Sequence, residues 1–189
     1  MMLEGEDDLA ATKMDLRARM LAVRDAITPE ARATRSAALA GHVDDPAFRQ
    51  WLPAPGLAIA GFCAIRSELD PAALLRRLAE AGMTLALPRV GPTGLVFHCW
   101  CPGDPLVAGG FGLREPAATA PILAPALYLT PLLAYDRNGG RLGYGKGYYD
   151  RAFAAAPGIP RIGLAFCEQE VARVPAGARD MRLDAVLAV

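Results

Sequence analysis

Hydrophobic positions near the start of the chain repeat with a helical period. Leu9, Leu16, Met20, Val23 and Ile27 fall on one stripe of a helix running from about Leu9 to Ile27. Thr28-Pro29-Glu30 opens a second helix, with Thr28 as N-cap and Pro29 at the first helical position, continuing to about Val43. Asp44-Asp45-Pro46 interrupts it, residues 47–52 add a turn, and Pro53 and Pro55 close this helical front section.

From there the pattern alternates strand and helix. Leu57 to Cys63 is a near-continuous apolar run, as in a strand buried on both faces. Asp70 caps a helix from Pro71 to about Ala81, with Gly82 as its stop. Met83–Val90 and Leu95–Cys101 read as two strands joined by Gly91-Pro92-Thr93-Gly94. Residues 102–125, rich in Pro, Gly and Ala, form an irregular segment that wraps an edge or contributes to a pocket. A strand over Ala126–Thr130 ends or bulges at Pro131. A helix from near Tyr148 to before Pro157, a strand over Arg161–Phe166 and a last strand over Asp184–Val189 complete the pattern. These elements predict one α/β domain over residues 9–189, a three-layer αβα sandwich around a mostly parallel sheet.

Composition narrows the class. The chain has 189 residues, 53% apolar, and a formal net charge of zero. That suits a single globular domain and argues against a general nucleic-acid binder, which carries a basic excess. No apolar run approaches the roughly 18 residues a membrane span needs. Residues 1–8 include Glu4, Glu6, Asp7 and Asp8, the opposite of a signal peptide's basic start. They are expected to form a disordered acidic leader on a cytoplasmic protein. Cys63, Cys99, Cys101 and Cys167 show no zinc-ligand spacing and read as buried, reduced thiols. His42 reads as a surface or end-of-helix residue and His98 as a hydrogen-bonded structural one.

The chemistry concentrates in residues 134–151, where Gly139, Gly140, Gly143, Gly145 and Gly147 are interleaved with Arg141 and Lys146. Glycine lets backbone N–H groups approach an anion, and a following helix N-terminus adds partial positive charge. Flexible linkers are Gly/Ser-rich with few bulky groups, unlike this stretch. It is not a Walker loop, since Lys146-Gly147 is followed by Tyr148, and it lacks a dinucleotide fingerprint. Asp150 lies just beyond, and a carboxylate beside a polyphosphate commonly helps hold Mg²⁺. Lys13 and Arg17 stand four apart beside the apolar stripe, either solvating the helix edge or overhanging a site. Glu68 follows a strand, where open α/β sheets bind ligands, although a solvated surface position is the plainer reading. The residues by themselves reach a nucleotide or other polyphosphate with Mg²⁺, and no substrate.

Tyr135-Asp136 through Arg141-Leu-Gly-Tyr-Gly-Lys-Gly-Tyr-Tyr-Asp-Arg151 closely resembles the signature of the 5-formyltetrahydrofolate cyclo-ligases, also called 5,10-methenyltetrahydrofolate synthetases. Lys13-Met-Asp-Leu-Arg17, Phe62 to Leu69, Gly112 to Pro116, Arg161 to Phe166 and Arg179-Asp180 resemble further family segments in the same order. The resemblance implies a fold like that of NagB, RpiA and the CoA transferases. It implies ATP-driven closure of 5-formyltetrahydrofolate to 5,10-methenyltetrahydrofolate by a monomer. Lys13, Arg17, Arg141 and Lys146 would be catalytic. ATP would be held by Lys13, Arg17, Arg141, Leu142, Gly143, Tyr144, Gly145, Lys146, Gly147, Tyr148 and Tyr149. The folate would meet Arg17, Cys63, Glu68, Tyr144, Gly145, Lys146, Gly147 and Tyr148, with Glu68 anchoring the pterin. Asp150 and Asp180 would hold Mg²⁺. Three positions depart from the family pattern: Arg179 stands where His is frequent, Gly177 where Glu is usual, and Tyr135 where Phe is usual. A non-catalytic nucleotide- or folate-binding relative, and a phosphosugar isomerase on a similar fold, are the competing readings. The paired Asp150 and Asp180 separate the first from an enzyme, and ATP dependence separates the second.

Overall fold

The computed structural model describes residues 3–189. Its first helix, α1 (Leu3–Asp25), carries the expected stripe: Leu16 and Met20 are buried, Leu9 and Val23 half-buried, and Ile27 is buried just beyond the helix end. The helix starts earlier than the apolar period suggested, so the stretch read as a disordered leader is helical from Leu3, with Met1 and Met2 outside the described residues. Acidic residues early in a helix complement its dipole.

Thr28 caps α2 (Pro29–Ala38), its hydroxyl accepting from the Ala31 N–H at 3.2 Å. The second helix ends as an α-helix five residues before Val43, tightening into a 3-10 segment over Leu39–Asp44. Asp45 caps the short α3 (Pro46–Arg49) through the Ala47 N–H at 2.9 Å. After β1 (Ala58–Ala60), the Asp70 carboxylate takes the Ala72 N–H at 2.9 Å and starts α4 (Ala72–Glu80). Then come β2 (Thr84–Val90), β3 (Leu95–Cys99), the two-residue strands β4 (Val107–Ala108) and β5 (Arg114–Glu115), and β6 (Pro125–Pro131). The chain closes with β7 (Ala134–Tyr135), β8 (Arg141–Leu142), α5 (Tyr148–Ala155), β9 (Arg161–Ala165) and β10 (Ala185–Ala188).

The main sheet has the order β10-β9-β6-β1-β2-β3, with every neighbouring pair parallel except β2–β3. The expected mostly parallel sheet is therefore present, with one antiparallel edge. Alternate strand residues sort to its two faces, as the pleat requires. Ile59, Leu85, Leu87, Leu127, Leu129, Ile162 and Leu164 pack with Leu39, Val43, Phe48 and the α4 residues Leu74, Leu75 and Leu78. Burying each such leucine fully contributes about 2 kcal/mol. The other face is built from Ala58, Ala60, Ala86 and Tyr128 against Phe153 of α5. Small residues there let α5 sit close, and Phe97, Tyr128 and Phe153 meet edge to face at 5.4 and 5.2 Å.

Residues 102–125 do both things expected of them. Backbone bonds from Cys99 to Pro121 and from Leu123 to Phe97 cover the outer edge of β3, while Leu113 and Arg114 line a cavity. Pro131 ends β6, where its missing N–H costs no ladder bond. The four cysteines are unpaired, but the expectation of burial needs correcting: Cys101 and Cys167 are exposed, Cys63 and Cys99 half-buried. Cys101 lies past the end of β3 and so has no sheet face to bury against. Among the described residues no helix is long and apolar enough to cross a membrane.

Candidate active site

The glycine-rich stretch divides into two parts. Its first half is a hairpin, β7 paired antiparallel with β8, turning at residues 136–140. Asp136 is the hub of that turn, accepting from the N–H groups of Asn138 at 2.8 Å, Gly140 at 2.9 Å and Val174 at 2.7 Å. Burial works to raise this carboxyl, but the donors of Val174, Gly140 and Asn138 outweigh it and hold it below the ordinary carboxylate range. A Cβ on Gly140 would lie 2.8 Å from the Asp136 carboxylate carbon. Gly139 and Gly140 thus serve the turn and do not form the anion cradle first read into all five glycines.

The second half, residues 141–150, lines a cavity of about 490 Å³ at the carboxyl ends of β1, β2 and β6. Leu142, buried, anchors its start against Leu16, Met20 and Ala134. Gly143, Tyr144, Gly145 and Lys146 then cross under α1, and Gly147 (φ 65°) turns the chain into α5 at Tyr148. No side chain caps α5, so the N–H groups of its first turn are left for an incoming anion. Tyr148, Tyr149 and Asp150 line the cavity from that first turn. Burial, then the nearby Glu68, pushes the Tyr149 phenol well above its usual range, keeping it neutral.

Lys13 and Arg17 reach the same cavity from α1. Arg17 Nε donates to the Gly143 carbonyl at 2.9 Å, and Lys13 forms an ion pair with Asp180 at 2.5 Å. Asp180 also accepts from the Gly177 N–H at 2.5 Å. Burial opposes its ionisation, yet Lys13 and the Gly177 N–H hold its carboxyl below the ordinary range. Arg141, nearly buried, donates to Asp150 at 2.9 Å and lies over the rings of Tyr149 and Phe153, while its buried Nε has no acceptor. The Met181 N–H also reaches Asp150, at 3.2 Å, so the segment carrying Asp180 is tied to the start of α5.

Another part of the cavity wall is formed by the loop after β1. Cys63 and Glu68 line it with Phe62, Ile65 and Arg66. Burial pushes the Cys63 thiol up to about 11, so it stays protonated at neutral pH. Glu68 is buried and accepts from the Ile65 N–H at 2.9 Å. Burial pushes its carboxyl up to about 7, against the pull of the Ile65 donor and of Arg24 and Arg66.

Every residue predicted for the site therefore lines one cavity, which combines cations and carboxylates with the buried acid Glu68. Asp150 and Asp180 supply only oxygen donors, which suit a hard cation, and no group of three or more His, Cys, Asp or Glu gathers among the described residues. A cation held there must complete its shell with water and ligand oxygens. Of the three departures, Arg179 is exposed, Gly177 contributes its N–H to Asp180, and Tyr135 is buried in β7.

The family model for 5-formyltetrahydrofolate cyclo-ligases matches residues 9–189. The chain belongs to this family. It is 34% identical over 184 residues to the 5-formyltetrahydrofolate cyclo-ligase of Mycolicibacterium smegmatis, covering 87% of this chain and 91% of that one. The Escherichia coli K12 protein of the same name is 31% identical over 142 residues, covering 68% and 76% of the two chains. Among solved structures, the 5,10-methenyltetrahydrofolate synthetase of Aquifex aeolicus superposes with a TM-score of 0.77 at 28% identity, covering 93% of this chain and 89% of that one.

Family resemblance and spacing missed several residues that shape the cavity. Arg24 is fully buried behind it, while Arg66 and Arg114 are exposed at its wall. Arg24 had one signal, its place seven residues after Arg17, which keeps it on the same helical face.

Proposed function

We propose that the chain catalyses the ATP- and Mg²⁺-dependent cyclisation of 5-formyltetrahydrofolate to 5,10-methenyltetrahydrofolate, releasing ADP and phosphate. The observation that carries this reading is the cavity's polarity. One cavity is lined both by Lys13, Arg17, Arg141 and Lys146 with the open start of α5 and by the buried Glu68. The first suits a triphosphate; the second suits the ring N–H donors of a pterin.

The formyl oxygen on N5 attacks the γ-phosphorus of ATP, and ADP leaves. This step turns a poor leaving group into a phosphate ester. N10 then attacks the activated carbon and gives up its proton, and inorganic phosphate departs to leave the methenyl bridge. Phosphoryl transfer needs charge neutralisation and alignment more than a protein nucleophile. Lys13, Arg17, Arg141 and Lys146 supply positive charge, and the amides of residues 143–149 orient the phosphate chain. Asp150 and Asp180 would hold Mg²⁺, which when bound neutralises phosphate charge. Glu68 orients the pterin so that the formyl group faces the triphosphate.

The working unit is proposed to be a monomer. Four free thiols, two of them exposed, suit the reducing cytoplasm. The test is to incubate the purified protein with 5-formyltetrahydrofolate, ATP and Mg²⁺, following phosphate release and methenyl-folate absorbance together. Coupled appearance of both is expected; folded protein that yields neither overturns the assignment.

A further inference from the structure

Arg24 is a fully buried cation in the last turn of α1. A guanidinium is costly to remove from water unless its donors are met, and here each edge meets a different segment. Nε donates to the Ser67 hydroxyl at 3.1 Å, Nη1 to the Leu132 carbonyl at 3.5 Å, and Nη2 to the Tyr144 hydroxyl. These partners sit on the loop after β1, the end of β6 and the glycine loop. All three segments line the cavity.

The contacts are reinforced on both sides. The Ser67 hydroxyl donates onward to Asp25, so the loop beside Glu68 is tied to α1 through two consecutive residues. The Arg24 guanidinium lies 5.6 Å from the Tyr144 ring centre, and that of Arg66 lies 5.9 Å from it. Arg66 has a φ of 54°, a left-handed conformation that a residue with a side chain adopts at a cost and that recurs at ligand sites. Tyr144 is thus held by a buried arginine and an exposed one. By contrast, the phosphate end is tied together by other residues, through Lys13–Asp180, Arg17–Gly143 and Arg141–Asp150.

We propose that Arg24 is a positioning residue that fixes Tyr144 against the loop carrying Glu68, and so sets the shape of the folate half of the cavity through the Tyr144 side chain, leaving the Lys13–Asp180 and Arg141–Asp150 pairs as they are. The proposal rests on the cyclo-ligase reading for its naming of that half. Arg24 does not meet the reacting atoms; it acts through Tyr144 and Ser67.

The test compares Arg24→Lys, which keeps the charge but loses the fork, with Tyr144→Phe, which removes only the acceptor, and with the double variant. Dissociation constants for 5-formyltetrahydrofolate and for a non-hydrolysable ATP analogue are measured beside turnover. Each single variant is expected to weaken folate binding about tenfold, the scale of one lost charge-assisted hydrogen bond, while nucleotide binding stays within about twofold. The double variant should bind folate no worse than Arg24→Lys alone, because both changes break one contact. Rescue is expected from Arg24→Lys relative to Arg24→Met if charge near Ser67 still holds the loop. Equal losses for both ligands, additive losses in the double variant, or a lowered melting temperature with unchanged folate binding would overturn the proposal. A wild-type chain that binds both ligands but turns neither over defeats the cyclo-ligase reading and leaves the binding comparison decisive for Arg24. Wild type that binds no folate defeats both.

Discussion

Lys13 and Asp180, 167 positions apart in sequence, form a 2.5 Å ion pair that joins α1 to the segment before β10. Arg141 and Asp150 form a second such pair at 2.9 Å. Each carboxylate proposed to hold Mg²⁺ is thus paired with a cation proposed to meet phosphate. On the proposed reading, binding of ATP with its metal would exchange partners within the same four residues, so charge would be matched both before and after. Lys13→Ala should raise the KM for ATP about tenfold, the worth of one charge-assisted contact. It also strands Asp180, at a cost of about 1 kcal/mol for a partly exposed pair, lowering the melting temperature by roughly 2–4 °C. An unchanged KM for ATP would remove Lys13 from the site.

Glu68 links pH to folate binding. Burial raises its carboxyl to about 7, so near neutrality the free protein holds a mixture of acid and carboxylate. The pterin donors require the carboxylate. Affinity for 5-formyltetrahydrofolate should therefore increase as pH rises toward about 7 and level off above it, with proton release on binding over the range in which affinity rises. The effect on folding has the opposite sign. A raised acid favours the folded state fully below its unfolded value near 4.5, and that contribution is lost as pH rises through about 7. Glu68→Gln should flatten the pH dependence, weaken folate binding roughly 10- to 100-fold, and leave nucleotide binding intact. Calorimetric titration in buffers of different ionisation enthalpy reads both affinity and proton release, and a flat wild-type profile would dismiss the titration of Glu68.

Two glycines five residues apart on either side of β8, Gly140 and Gly145, should fail in different ways. A Cβ at Gly140 intrudes on the Asp136 carboxylate, which three backbone donors hold in place. Gly140→Ala should therefore destabilise the fold by about 2–4 kcal/mol. Gly145 has a φ of 93°, and a Cβ there would lie 3.2 Å from the Arg17 guanidinium carbon. Gly145→Ala should chiefly raise the KM for ATP, by displacing Arg17, with a smaller change in melting temperature. Denaturant melts and steady-state kinetics on both variants separate the two roles; matching profiles would contradict the division of the loop.

Asp136 should also appear in the acid limb of stability. Its carboxyl is held below its unfolded value near 3.8, so its contribution is present above that pH and is lost as pH falls through the lower folded value. Asp136→Asn should cost about 1–3 kcal/mol at pH 7 by leaving backbone donors poorly met. The gap between variant and wild type should close as pH falls through the lowered folded value, as the native carboxylate is itself protonated. A gap that stays constant down to pH 2 would assign the loss to geometry rather than charge.

Local signals in the sequence were strong where one residue acts on its neighbours. Thr28, Asp70 and Pro131 mark element boundaries through capping or a missing N–H, and those effects do not depend on the rest of the fold. The site residues were legible because the family motif names them, and their common cavity depends on strand ends that the alternating pattern already brought together. What escaped were effects made by distant contacts. Asp136 looks like half of a family signature until Val174 arrives to complete its hydrogen bonds. Arg24 looks like an ordinary last-turn arginine until Ser67, Leu132 and Tyr144 close around it. Apolar periodicity also started α1 too late, because it registers only stretches in which apolar residues recur at helical spacing.

The placement of α1 has a consequence for how the chain comes to be folded in a cell. Its apolar stripe packs on Ala134, Leu142 and Val174, and Lys13 waits for Asp180. A ribosome delivers that helix first and its partners last, so α1 has little to bury against until most of the polypeptide has emerged. The helix made earliest is the one docked latest, and nascent chains arrested before residue 174 should expose it to chaperones and proteases.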